Sequence, residues 1–117
     1  MSDDLEFLEK TEGELFELLG SHVPNGGLLG GSGNRKLLRV RASNWWEQKS
    51  STILDAVCKS PNIQKIVAKE STDEKELFLA LIDTISVLTL GVPVAIIAAI
   101  CLKKGLKVSC ASRWGTA

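Results

Sequence analysis

The fold is decided by residues 75–104, KELFLALIDTISVLTLGVPVAIIAAICLKK, which hold most of the strongly apolar side chains of the chain. Residues 72–90 carry apolar side chains at spacings of three and four, the pattern of one buried helix face. Residues 93–102 are apolar on almost every side, which is typical of a helix surrounded by other elements. The stretch therefore predicts a helical hairpin at the centre of the protein, with one kinked helix as an alternative.

The ends of these two segments carry helix-boundary signals. Ser71 is a hydroxyl N-cap, and Glu74 stands where it would complete a capping box. Gly91 suits the left-handed residue after a helix, and Pro93 suits the first turn of the next one. Two lysines followed by Gly105 end the second segment with cations and a glycine. Both helices are therefore expected to have defined ends.

The same stretch also has features of a membrane segment. Residues 85–102 lack charged side chains and just reach the length that a transmembrane helix needs. Against this, Gly91 and Pro93 lie in the middle, and Asp83 lies one turn earlier. An aspartate at the membrane centre costs about 2.5–3.5 kcal/mol on insertion scales. We therefore prefer the buried hairpin and keep a membrane-anchored or membrane-inserting protein, using residues 77–102, as an alternative.

Length and charge limit the class of protein. With 117 residues, the chain forms one small domain with a modest core. Its net charge is zero, but residues 1–19 carry seven acids and one base, whereas the rest carries thirteen bases and seven acids. This division favours an acidic helix that docks on the basic body of its own chain or of a partner. A solvated surface helix accounts for the same charges.

The N-terminal part predicts that acidic helix and a linker after it. The helix is expected from Asp3 to about Leu19, with Gly20 as its end. Residues 21–34, SHVPNGGLLGGSGN, predict a flexible linker, because five glycines in fourteen residues disfavour regular structure. A phosphate loop there is disfavoured because the Walker spacing is absent. Four leucines form the apolar face of the acidic helix: Leu5, Leu8, Leu15 and Leu19.

Residues 35–59 predict a second helical region with an undecided beginning. Residues 35–41, RKLLRVR, fit either a short helix or an edge strand, because the apolar run is too short to decide. Asn44 is a candidate N-cap, with Glu47 at the capping-box position. We therefore expect a helix from there to about Lys59.

Two tryptophans stand side by side at the start of this expected helix. Adjacent side chains point in different directions on a helix, so we expect Trp46 in the core and Trp45 half-exposed. Bases beside an exposed indole also suit phosphate contacts and base stacking. A nucleic-acid interface in residues 35–49 is therefore a further alternative, through Arg35, Lys36, Arg39, Arg41 and Trp45.

The remaining elements are short. Ser60 and Pro61 predict the start of a helix that ends near residues 69–70. Residues 106–110 either extend the last helix of the hairpin or form a small appended segment. Residues 111–117 predict a tail, in which Trp114 is either tucked onto the body or exposed as an anchor for a partner.

The cysteines predict a reducing environment. Cys58, Cys101 and Cys110 are odd in number and lack C-x-x-C spacing, and two of them lie in apolar helical context. This pattern suits reduced, buried thiols in a cytosolic protein. The acidic N-terminus shows no secretory signal. We therefore expect a cytoplasmic protein, with membrane association as the alternative.

Residues that support catalysis are scarce in the sequence. The only histidine, His22, lies in the expected linker, and no metal-ligand spacing is present. Asp83 is the one carboxylate within an apolar run, and a helix-edge position or an ion pair accounts for it. We therefore expect no catalytic residue, cofactor or small-molecule substrate.

Together these patterns predict an all-α bundle of four to five helices that acts as a non-catalytic interaction module. It would be a small adaptor or regulatory subunit that binds a protein partner or itself. The acidic helix would lie in a groove with an arginine rim, in its own chain or in a neighbour. The expected organisation is a helix at 1–20, a linker at 21–34, a core at 35–110 and a tail at 111–117. The expected partner-binding residues are Leu5, Leu8, Leu15, Leu19, Arg35, Arg39, Arg41, Trp45 and Trp114.

Overall fold

The computed structural model describes residues 2–23, 35–69 and 73–114. Within these ranges every regular element is a helix, which confirms the predicted all-α bundle. From residue 24 onward the predicted linker lies outside the described residues. The elements are a 3-10 helix at Ser2–Glu9 and α-helices α1 (Glu12–His22), α2 (Arg35–Lys59), α3 (Pro61–Ala68), α4 (Glu74–Ser86), α5 (Val94–Lys104) and α6 (Leu106–Cys110).

Helix α5 lies at the centre of the bundle. It packs against α1, α4, α6 and the 3-10 helix, and residues 95–101 are all buried. A helix that is apolar on every side needs neighbours on every side, and these four elements supply them. The core continues into α4 through Phe78, Leu81 and Ile85, which are fully buried.

The acidic N-terminal segment forms two elements, so the prediction of one continuous helix is wrong. The break falls at Lys10 and Thr11, where Thr11 caps α1. The Thr11 hydroxyl accepts a hydrogen bond from the Glu14 backbone N–H at 3.1 Å, and the Glu14 carboxylate accepts one from the Thr11 N–H at 2.8 Å. This reciprocal capping box starts a new helix in mid-segment.

Gly20 lies inside α1, so its predicted role as the end of the helix is also wrong. The helix continues to His22, and Gly20 is buried against α2. A methyl group at Gly20 would overlap the backbone carbonyl of Leu38. Glycine therefore permits the two helix backbones to approach closely here, while Leu15 and Leu19 fill the interface beside it.

Helix α2 runs without interruption through 25 residues. The edge-strand alternative is wrong, and Asn44 lies exposed within the helix instead of capping it. Its N-terminal half packs on α1. This tertiary contact stabilises the helix in residues whose local sequence pattern does not decide between helix and strand. The burial of the two tryptophans is the reverse of the prediction. Trp45 shares a buried face with Ala42 and is 7% exposed, whereas Trp46 is half-buried.

Side chains cap α3 and α4. The Ser60 hydroxyl accepts a hydrogen bond from the Ile63 N–H at 3.3 Å, which confirms the predicted start of α3. The predicted cap Ser71 lies outside the described residues, and the N-cap of α4 is Asp73. Its carboxylate accepts hydrogen bonds from the N–H groups of Lys75 and Glu76.

The central apolar stretch forms two separate helices of 13 and 11 residues. α4 ends at Ser86, earlier than expected, and positive φ angles at Thr89 (47°) and Gly91 (82°) turn the chain. Pro93 serves as the N-cap of α5, one position before its expected place. Among the described residues, no helix is both long enough and apolar enough to cross a bilayer.

The α1–α2 contact gives a direct test of this packing. We expect Gly20→Ala to lower the free energy of unfolding by about 1–3 kcal/mol, because the added methyl group forces the helices apart. Gly13→Ala is the matched control, since its Cβ would lie at an ordinary contact distance, 3.4 Å, from the end of the long Arg39 side chain. That change should raise stability by up to about 1 kcal/mol. Urea unfolding measures the free energy of unfolding of both variants. Equal changes in the two variants would contradict the close approach of α1 and α2 at Gly20.

Candidate functional site

A disulfide bond joins Cys58, near the end of α2, to Cys110, at the end of α6. The prediction of reduced thiols is therefore wrong for these two residues. The two cysteines meet because α6 is a separate short helix that packs on α2. The spacing of the cysteines in the sequence does not show this packing. Cys101 is a free, buried thiol in α5, and burial raises its pKa to about 12, which keeps it protonated and unreactive.

The carbonyl group of Cys58 is the common acceptor for two side chains. The Trp114 indole N–H donates to it at 2.7 Å, and the Gln64 side-chain amide donates at 2.8 Å. Carbonyls at the end of a helix lack intrahelical partners, so these donors satisfy an otherwise open acceptor. Trp114 is therefore tucked onto the body, which decides between the two positions expected for it.

The residues after α6 are held by two further contacts. The Trp114 backbone N–H donates to the Cys110 carbonyl at 2.8 Å. The Arg113 guanidinium donates to the Asp55 carboxylate at 2.7 Å. Residues 111–114 of the predicted tail thus form turns that are bonded to α2 and α6, and residues 115–117 lie outside the described part of the chain.

These contacts border an apolar groove between α3 and α6, which we name the Trp114 groove. Its volume is about 470 Å³, within the range of ligand-binding pockets. Its lining residues are Gln64, Val67, Ala68, Lys107, Ala111 and Trp114.

In the described part of the chain, one cation lines the Trp114 groove, and two more line a depression beside it. Lys107 lines it directly, and Lys59 and Arg113 line a second depression that shares Gln64 and Trp114 with it. Among the described residues, one carboxylate lines these depressions, that of Asp55, and it is paired with Arg113. Apolar walls with unbalanced positive charge favour a ligand that carries both apolar groups and carboxylates.

The acidic segment docks on the basic body of its own chain. Glu17 pairs with Arg39, with 2.6 Å between Oε2 and Nη2, and Glu12 pairs with Lys104 at 2.8 Å. The Lys103 ammonium group also donates to the Leu8 carbonyl at 2.9 Å. Of the two docking modes considered from the sequence, the one within the chain is therefore observed.

The predicted partner-binding residues do not form one surface. Leu15 and Leu19 are fully buried, and Leu5 and Leu8 pack half-buried against the core. Trp45 is buried, so it offers no open ring face for base stacking. Arg41 borders a different, more polar depression with Asn44, Trp45, Gln48 and Lys49, and the Arg35 side chain lies outside the described part of the structure.

Two sets of residues escaped sequence reasoning. Lys103 and Lys104 hold the acidic segment, and Lys104 also lies 5.2 Å from the ring centre of Phe16 and 5.8 Å from that of Trp46. The lining of the Trp114 groove was missed apart from Trp114, because α3 and α6 are far apart in sequence and meet only in the folded chain.

Comparison with known protein families, with curated proteins and with solved structures finds no match for this chain.

The Asp55–Arg113 pair gives a pH-dependent test. The hydrogen bond from Arg113 lowers the pKa of Asp55 from 3.8, and the positive charges of Arg113 and Lys59 add to this effect. A carboxyl group whose pKa is lower in the folded state stabilises the fold at pH values above its unfolded-state pKa. This stabilisation is lost as the pH falls through the folded-state pKa. We expect the unfolding free energies of wild type and Asp55→Asn to differ most near neutral pH and to converge in acid.

Chemical unfolding at a series of pH values measures this difference. The same Asp55→Asn change made in an Arg113→Met chain is the control, because the hydrogen bond is already absent there. A pH-dependent difference of equal size in both chains would show that Arg113 is not its source.

Proposed function

We propose that this protein is a non-catalytic protein-interaction module and that the Trp114 groove is its docking surface. The observation that carries the proposal is an apolar groove whose tryptophan wall is fixed to the body by hydrogen bonds and a disulfide. A fixed wall lowers the entropy cost of binding, since little has to be ordered when a ligand arrives.

The acidic helix is not the docking element in this proposal. Its two central leucines, Leu15 and Leu19, already form part of the core of its own chain. Releasing them would expose apolar surface at about 25 cal/mol per Å². The Trp114 groove, in contrast, is open without any rearrangement of the described elements.

The ligand we propose is a short segment of a partner protein with apolar side chains and at least one carboxylate. Val67, Ala68, Ala111 and the Trp114 ring supply an apolar contact surface. The Lys107 ammonium group supplies a partner for a carboxylate at its edge. Tryptophan is among the residues that contribute most binding free energy at interfaces, which makes Trp114 the expected centre of the contact.

A peptide-display selection tests this proposal. A random peptide library is selected on the wild-type chain alone, and the enriched peptides are then measured on the Ala111→Arg variant, in which a long cationic side chain fills the groove. Ala111 is exposed, so the variant should fold, and its urea unfolding curve verifies that. The matched control is Val87→Arg, a change at a valine that is 75% exposed and does not line the groove.

We expect the enriched peptides to combine apolar residues with aspartate or glutamate. They should bind wild type and Val87→Arg equally, and bind Ala111→Arg at least about tenfold more weakly, or about 1.4 kcal/mol. Isothermal calorimetry measures the three affinities. A selection that enriches nothing, or only peptides that bind Ala111→Arg as well as wild type, would overturn the proposal.

A further inference from the structure

We infer that the Trp114 groove forms only in the oxidised chain, because the Cys58–Cys110 disulfide holds its two walls together. This inference rests on the proposed function, since it concerns how the same docking surface is controlled.

The two walls belong to different parts of the chain. One wall is α3, which follows α2 after the single residue Ser60 and so stays close to Cys58. The other wall consists of α6 and the turn after it, which include Lys107, Ala111 and Trp114. The disulfide is the covalent link between the second wall and α2, across 52 residues of sequence.

The second wall has little stability of its own. α6 has five residues, and so short a helix is marginal without tertiary contacts. Its buried anchors are Leu106 at the start and Cys110 at the end. When the disulfide is absent, the end of α6 that carries Ala111 and Trp114 loses its covalent attachment.

The hydrogen bonds around Cys58 depend on the same attachment. The Trp114 indole reaches the Cys58 carbonyl only while Cys110 lies beside α2, since the Trp114 backbone N–H is itself bonded to the Cys110 carbonyl. The Gln64 amide, which belongs to the α3 wall, keeps its own bond to the Cys58 carbonyl because α3 and α2 are adjacent. Reduction therefore leaves the α3 wall in place, and leaves the second wall tied to α2 by hydrogen bonds and by the partly exposed Asp55–Arg113 pair, without a covalent link.

The redox step is a thiol–disulfide exchange. A small-molecule disulfide, such as oxidised glutathione, is the oxidant. One cysteine thiolate attacks it to form a mixed disulfide and releases one thiol, and the other cysteine thiolate then displaces the second thiol. The two cysteines lose two electrons and two protons, and the oxidant becomes two thiols.

Because both sulfur atoms are buried, the redox state of the disulfide is set by the compartment in which the chain folds. Both cysteines are almost fully buried, so a reductant reaches the sulfur atoms only after local opening. Disulfides form and persist in oxidising compartments, where the Trp114 groove would be complete. In the cytoplasm, the location predicted from the sequence, the chain would carry thiols and lack the groove.

The test compares the oxidised chain with the same chain reduced by dithiothreitol and with a Cys58→Ser, Cys110→Ser double variant. Hydrogen exchange of the three tryptophan indole N–H groups is followed by NMR. Cys101→Ala is the matched control, because it removes a buried thiol and leaves the disulfide intact. Affinity for a peptide selected on the oxidised chain is the second measurement.

We expect Trp114 to lose its protection from exchange at least about tenfold when the disulfide is absent, as expected for local opening. Trp45 and Trp46 should keep their oxidised-state exchange rates, and Cys101→Ala should behave as wild type. Peptide affinity should fall with the Trp114 protection. Unchanged Trp114 protection in the reduced chain would overturn the inference.

Other outcomes separate the two proposals. Loss of protection at all three tryptophans would overturn the local role, because the disulfide would then hold the whole bundle together. Unchanged peptide affinity in the reduced chain would also overturn the inference. If no peptide binds the oxidised chain, the proposed function fails, and the exchange of Trp114 still decides whether the disulfide forms the groove.

Discussion

The disulfide between Cys58 and Cys110 is the constraint that ties α6 and the turn after it to the end of α2. It closes a loop of about fifty residues, and loop closure of this length removes about 4 kcal/mol of unfolded-state entropy in the chain-entropy model. The bond also places the turn after α6 where the Trp114 indole and the Gln64 amide converge on one carbonyl. Without it, α6 would be a helix of five residues whose buried anchors are the Leu106 side chain and an unbonded Cys110 thiol.

The N-terminal half is held differently, by apolar packing supplemented with ion pairs. The pairs Glu17–Arg39 and Glu12–Lys104 are partly exposed, and such pairs contribute about 0–1 kcal/mol each. Full burial of a leucine contributes about 1.5–3 kcal/mol, so Leu15 and Leu19 outweigh the charges. The opposite charges of the two parts of the chain therefore orient α1, while its leucines and the close approach at Gly20 stabilise it.

Sequence patterns predicted the elements whose causes are local. The apolar α5 and the capped start of α3 depend on residues within a few positions, and both were found from the sequence. The extent of α2 and the interior position of Gly20 were not, because contacts between α1 and α2 override a local cap signal at Asn44 and a local stop signal at glycine. The break at Thr11 has a local cause, the capping box of Thr11 and Glu14. The leucine spacing continues across this position and predicted one helix.

The candidate site was less predictable than the fold. The Trp114 groove requires Cys58 to meet Cys110, and no pattern in the sequence identifies which two of three cysteines are bonded. Trp114 was singled out from sequence, but its position was left open between the body and the surface. Its place depends on a carbonyl at the end of α2, more than fifty residues away.

Mass spectrometry of a non-reduced tryptic digest shows directly whether Cys58 is bonded to Cys110. Cleavage after lysine and arginine places the three cysteines in different peptides, with Cys58 in residues 50–59 and Cys110 in residues 108–113. The account predicts that these two peptides are recovered as one disulfide-linked species, with Cys101 as a free thiol. A bond from Cys101 to either of them, or three free thiols in a chain folded under oxidising conditions, would contradict it.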